Sequence, residues 1–72
     1  MVPSLRNVQQ EPAVRAFIKA GGQERQGKGS HRIVRMPNGR TLAIPSGVLK
    51  IGLLKHLIKT ADINEEKFQS LL

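Results

Sequence analysis

A chain of 72 residues has room for one domain, and because it contains no cysteine, neither disulfide bonds nor a thiolate metal site can stabilise it. No apolar run is long enough to span a bilayer and no signal peptide opens the chain, which predicts a soluble protein of a reducing cytoplasm. The net charge of +7 is concentrated in residues 22–61, where eight Lys and Arg accompany the single acid Glu24, and such a basic segment is typical of proteins that bind nucleic acid.

The first predicted element is a helix that begins near Glu11 and ends at Gly21-Gly22. Residues 1–9 lack periodicity, so we expect a loose N-terminal lead followed by a single domain over residues 10–72. Pro12 suits the first helical turn, and the apolar side chains that follow gather on one side of the helix. The two glycines end it, because glycine readily takes the left-handed conformation after a helix.

Three short strands follow the helix and predict an antiparallel sheet. Residues 23–28 read as a polar edge strand, whereas 31–36 and 40–44 are richer in β-branched residues. Pro37-Asn38-Gly39 is a three-residue hairpin loop that pairs Met36 with Arg40 and fixes the register. The register predicts an inner apolar face of Val34, Met36, Leu42 and Ile44, and an outer face of His31, Ile33, Arg35, Thr41 and Ala43.

The last third of the chain predicts two helices after the break at Pro45-Ser46-Gly47. Residues 50–61 form an amphipathic helix, and Asn64 is the expected N-cap of a short terminal helix that docks through Phe68. The order α-β-β-β-α with this short helix predicts an α+β fold, in which helices cover one face of a three-stranded antiparallel sheet. The predicted core consists of Val14, Phe17, Ile18, Val34, Met36, Leu42, Ile44, Leu54, Leu57 and Ile58.

The candidate catalytic group lies in the segment Gly27-Lys28-Gly29-Ser30-His31-Arg32. Histidine exchanges a proton near neutral pH. Because the 2′-hydroxyl of RNA is an internal nucleophile, cleavage needs only a group that transfers protons and cations that stabilise the charge on the phosphate. His31 is therefore the candidate general acid or base. The candidate RNA-binding residues are Lys28, Ser30, Arg32, Arg35, Lys50 and Lys55.

Two other kinds of chemistry are not expected. Ser30 and His31 point to opposite sides of a strand, so a direct serine–histidine relay is improbable. The carboxylates show no metal-ligand spacing, and the sequence predicts neither a metal nor another cofactor.

The second histidine, His56, is predicted to be a solvated residue of the helix over 50–61. A basic turn in a module that binds RNA without cutting it remains the alternative to catalysis.

Five runs of residues follow one another along the chain: Arg25-Gln26-Gly27-Lys28-Gly29-Ser30-His31, Pro37-Asn38-Gly39-Arg40, Ile44-Pro45, Lys50-x-Gly52-Leu53-Leu54-Lys55 and Glu65-Glu66-Lys67-Phe68. In sequence and in order, these runs resemble the HicA toxin family. The resemblance covers roughly residues 14–72. Two positions depart from it, because many members have Pro-x-His where this chain has Pro45-Ser46-Gly47, and an aromatic residue where it has Gly22.

The resemblance implies both a fold and an activity. The implied fold is like that of a double-stranded-RNA-binding domain. The implied activity is that of an mRNA interferase, a toxin of a toxin–antitoxin system that cleaves mRNA without a metal ion. The histidine of the Gly-Ser-His element, here His31, is then the catalytic residue, and a HicB-like antitoxin is the cognate protein partner.

Overall fold

The secondary structure follows the predicted order, with two additional short strands. The computed structural model describes residues 6–27 and 29–72. Its elements are β1 (Val8–Gln9), α1 (Gln10–Lys19), β2 (Gln23–Arg25), β3 (Arg32–Arg35), β4 (Thr41–Ile44), β5 (Val48–Leu49), α2 (Ile51–Thr60) and α3 (Glu65–Ser70). The α-β-β-β-α order with a short terminal helix is therefore confirmed.

The two unpredicted strands form a small antiparallel ribbon of their own. β1 pairs with β5, so that Val8 lies opposite Leu49 and Gln9 opposite Val48. The expectation of a loose lead over residues 1–9 thus fails at Val8 and Gln9, the two residues of β1. A two-residue strand has no alternation to recognise, and its pairing partner lies far along the chain, so local pattern could not reveal it.

The main sheet has the predicted register. It runs in the order β2-β3-β4, entirely antiparallel, with Val34 opposite Leu42 and Arg32 opposite Ile44. The amide nitrogen of Met36 donates to the carbonyl oxygen of Arg40 at 2.8 Å, as the three-residue loop requires. The short turn therefore sets which side chains of the hairpin face the helices.

The core lies between this sheet and the helices. Nine of the ten residues predicted for it are buried: Val14, Phe17, Val34, Met36, Leu42, Ile44, Leu54, Leu57 and Ile58. Ile18 is the exception and the prediction for it was wrong, because its side chain is 39% exposed. Successive helical residues are turned by about 100°, which carries Ile18 from the buried position of Phe17 round to the edge of α1.

The terminal helix closes the core from the side. The ring of Phe68 is fully buried, and its centroid lies 5.0 Å from that of Phe17 on α1. Asn64 caps α3 as predicted, since its side chain accepts a hydrogen bond of 2.7 Å from the amide of Lys67. In the part of the chain that the structure describes, no helix is long and apolar enough to cross a membrane.

The end of α1 positions the first strand of the sheet. Gly21 has φ +108°, and the amide of Gly22 donates to the carbonyl of Phe17 at 3.0 Å, which is the Schellman arrangement. Gly22 is buried, and a Cβ there would lie 2.6 Å from Val34 and 2.9 Å from the sulfur of Met36. Position 22 therefore has no space for a side chain in this protein.

Candidate functional site

His31 stands at the end of the turn that joins β2 to β3. It is exposed and immediately precedes β3, so strand alternation places it on the same side of the sheet as Ile33 and Arg35. Because Arg25 pairs with Ile33, Gly27 comes to lie opposite His31. A Cβ on Gly27 would collide with the carbonyl oxygen of His31, so the close approach of these two backbones requires glycine.

Gln10 connects this turn to the rest of the domain. Its Nε2 donates to the carbonyl of Ser30 at 2.8 Å and to the carbonyl of Ile44 at 3.0 Å. Its backbone amide donates to the carbonyl of Gly47 at 3.0 Å. The start of α1 therefore holds the residue before His31 against the end of β4. Sequence reasoning missed Gln10, because both side-chain partners are distant in sequence and no local pattern signals them.

The face of the sheet opposite the helices is open and basic. Arg25 and Arg35 are exposed on it, and Arg35 lies opposite Gln23 on β2. Neither arginine forms an ion pair with any residue among 6–27 and 29–72. Arg25 was not among the predicted site residues, although its register with Ile33 could have placed it on the outer face.

A cleft opens between these two arginines. Its volume is 370 Å³, and it is lined by Gly21, Gln23, Arg25, Arg35, Met36 and Pro37. The positions of β2, β3 and β4 that share this outer face include no acidic residue. An anion at this face would therefore meet two guanidinium groups and no competing carboxylate from the sheet.

Arg32, a predicted RNA contact, is engaged elsewhere. Its Nε and Nη2 each donate to a carboxylate oxygen of Glu24 at 2.8 Å, and its Nη1 contacts Glu11. The side chain is 30% exposed and lies on the inner side of the strand, beside α1. The single acid of the basic segment is thereby paired with Arg32, and the open face keeps its positive charge.

The other predicted contacts divide between the turn and the second helix. Ser30 is exposed beside His31, and Arg35 follows on the same face. Lys50 is exposed at the N-cap of α2, and Lys55 is exposed within that helix. His56 is exposed on the same helix, as expected of a solvated residue. Lys28 lies outside the described residues.

The described residues do not gather ligands for a metal ion. Within 6–27 and 29–72, no group of three His, Cys, Asp or Glu side chains is close enough together to hold one. Glu11 and Glu24 do meet, but around the guanidinium of Arg32. Glu24 lies opposite Val34 on the inner face of the sheet, whereas His31 shares the outer face with Arg25 and Arg35.

A family model described as the HicA toxin of bacterial toxin–antitoxin systems matches residues 13–63. The chain belongs to the HicA toxin family. HicA toxins are generally ribonucleases, so the resemblance seen in the sequence is confirmed at the level of family. No curated protein matches the chain. In this HicA protein the turn before His31 and the open sheet face lie within the matched residues, whereas Gln10 and α3 lie outside them.

Proposed function

We propose that this HicA protein is the toxin of a toxin–antitoxin pair and cleaves mRNA without a metal ion, with His31 as the proton carrier. The observation that supports the proposal best is the position of His31. It is an exposed histidine beside a sheet face that carries two unpaired arginines and no acid among its described residues. Such a face attracts the phosphates of RNA and presents them to a group that can exchange a proton.

The reaction that fits these residues is transesterification within the RNA. The 2′-oxygen attacks the adjacent phosphorus, and the bond from phosphorus to the 5′-oxygen breaks. The products are a 2′,3′-cyclic phosphate and a 5′-hydroxyl. His31 either accepts the proton of the 2′-hydroxyl or donates a proton to the leaving 5′-oxygen. A water molecule carries out the other of these two proton transfers.

The remaining predicted contacts bind the substrate in this proposal. Lys28, Ser30 and Arg35 hold phosphates near His31, and Lys50 and Lys55 contact the RNA backbone further along. The guanidinium of Arg32 instead connects β3 to Glu24 on β2 and to Glu11 on α1.

A second protein completes the system. The family implies an antitoxin, and we expect a HicB-like protein that silences the toxin by covering its basic surface, because the net charge of +7 favours a partner with acidic groups. The proposed place of action is the cytoplasm, where mRNA is available.

The two exposed histidines give a matched test. His31→Ala should leave the fold and RNA binding intact and lower the cleavage rate by about 10²–10⁴-fold, the usual contribution of a general acid or base. His56→Ala removes the same side chain from α2 and should cut RNA as fast as the parent. Cleavage should continue in a chelator and fail on DNA, which lacks the 2′-hydroxyl. Equal cleavage by His31→Ala and the parent would refute the mechanism.

A module that binds RNA without cutting it is the second candidate. The open basic face favours it, because binding through phosphates needs no proton carrier. Both candidates predict that RNA affinity falls steeply as salt concentration rises. The second candidate alone predicts that the parent and His31→Ala bind RNA equally while neither produces a 2′,3′-cyclic phosphate.

A further inference from the structure

We propose that the cleft between Arg25 and Arg35 binds phosphate groups of the RNA strand on one side of the bond that His31 cleaves. The inference rests on the proposed function, and it assigns a substrate-binding role to Arg25. It also gives the RNA a path across the sheet, from the turn before β3 toward the end of α1.

The register of the strands sets this path. Strands rise by about 3.3 Å per residue, so Arg35 lies about 13 Å along β3 from His31 on the same face. Arg25 stands opposite Ile33, midway between them. Diagonal neighbours across two strands are about 7–8 Å apart, within reach of long side chains. His31, Arg25 and Arg35 thus form a row that the backbone of one RNA strand can follow.

The charges along this row fit phosphate. A guanidinium donates two parallel hydrogen bonds to phosphate oxygens, and neither Arg25 nor Arg35 is engaged by an acid within the described residues. Arg32 points to the other side of the same strand and is already neutralised by Glu11 and Glu24. The volume of 370 Å³ falls in the lower part of the range of about 300–1,000 Å³ typical of small-ligand sites.

The first measurement separates binding from cleavage. In a His31→Ala background, the affinity for a short unstructured oligoribonucleotide is measured as a function of salt. Arg25→Gln and Arg35→Gln should each weaken binding about threefold to tenfold and reduce the slope of log affinity against log salt by about 0.7, the value for one contact to single-stranded nucleic acid. Lys59→Gln removes the same charge from the solvent side of α2 and should change neither quantity as much.

The second measurement locates the phosphates. Single linkages of the oligoribonucleotide are replaced by uncharged methylphosphonates, one position at a time. Some replacement should weaken binding to the His31→Ala protein. The same replacement should not weaken binding to the His31→Ala protein that also carries Arg25→Gln or Arg35→Gln, because the contact between that phosphate and the arginine is already lost. Independent losses from the RNA change and the arginine change would overturn the proposal, as would an equal effect of Lys59→Gln.

The outcomes also distinguish this proposal from the proposed function. Undiminished cleavage by His31→Ala would refute the catalytic role, while the binding measurements would still decide whether the cleft holds phosphate. If Arg25→Gln and Arg35→Gln left RNA affinity unchanged and weakened only a complex with an acidic antitoxin, the cleft would be a protein-binding surface and the present inference would be wrong.

Discussion

Gln10→Met tests how firmly the turn before His31 is held. Methionine has nearly the same length as glutamine but no N–H donor, so it removes the hydrogen bonds to the carbonyls of Ser30 and Ile44. A hydrogen bond contributes about 0.5–1.5 kcal/mol net. The Ser30 bond is exposed and water can replace it, whereas the Ile44 bond is partly buried. We expect the free energy of unfolding to fall by about 1–2 kcal/mol.

The neighbouring glutamine supplies the control. Gln9 is exposed, and its side chain makes no capping bond to α1, so Gln9→Met should change stability by less than about 0.5 kcal/mol. Each kcal/mol lost lowers the thermal midpoint of a domain this size by about 4–8 °C, which circular dichroism resolves easily. Cleavage by Gln10→Met, measured well below its midpoint, should also fall because the backbone that carries His31 is less constrained. Equal midpoints for the two variants would refute this account of the turn.

Two further pairs of variants test the packing, each by urea denaturation. Leu57→Ala should lower the free energy of unfolding by about 2–5 kcal/mol because Leu57 is only 3% exposed. Ile18→Ala should lower it by less than about 1 kcal/mol, and similar losses for the two variants would contradict the assigned core. Gly27→Ala should destabilise the domain because its Cβ meets the carbonyl of His31, whereas Gly52→Ala in α2 has open space and should be neutral or stabilising by up to about 1 kcal/mol. Tolerance of alanine at Gly27 would mean that the turn can widen.

The sheet could be predicted because its signals are local. Pro37-Asn38-Gly39 determines the hairpin register within a few residues, and that register then assigns Val34 and Leu42 to the core and Arg35 to the open face. Short-range turn chemistry and side-chain alternation therefore account for most of the sheet.

The contacts that hold the site could not be predicted, because they join distant parts of the chain. Arg32 reads as a phosphate contact in sequence, yet Glu11 comes from another element and pairs with it. Gln10 lies before the expected start of the helix, and its role depends on where β4 ends. Helical periodicity places Ile18 at the edge of the apolar side of α1, and it does not reveal whether the neighbouring elements extend far enough to bury that edge.

The burial of Phe68 has a consequence for where this domain can be cut. The family match ends at residue 63, yet the ring of Phe68 fills the core against Phe17. The match also begins after β1 and Gln10. A fragment trimmed to the matched residues would keep every strand of the main sheet and lose the packing at both of its ends. We therefore expect a fragment of residues 13–63 to be less stable than one that retains β1, Gln10 and α3.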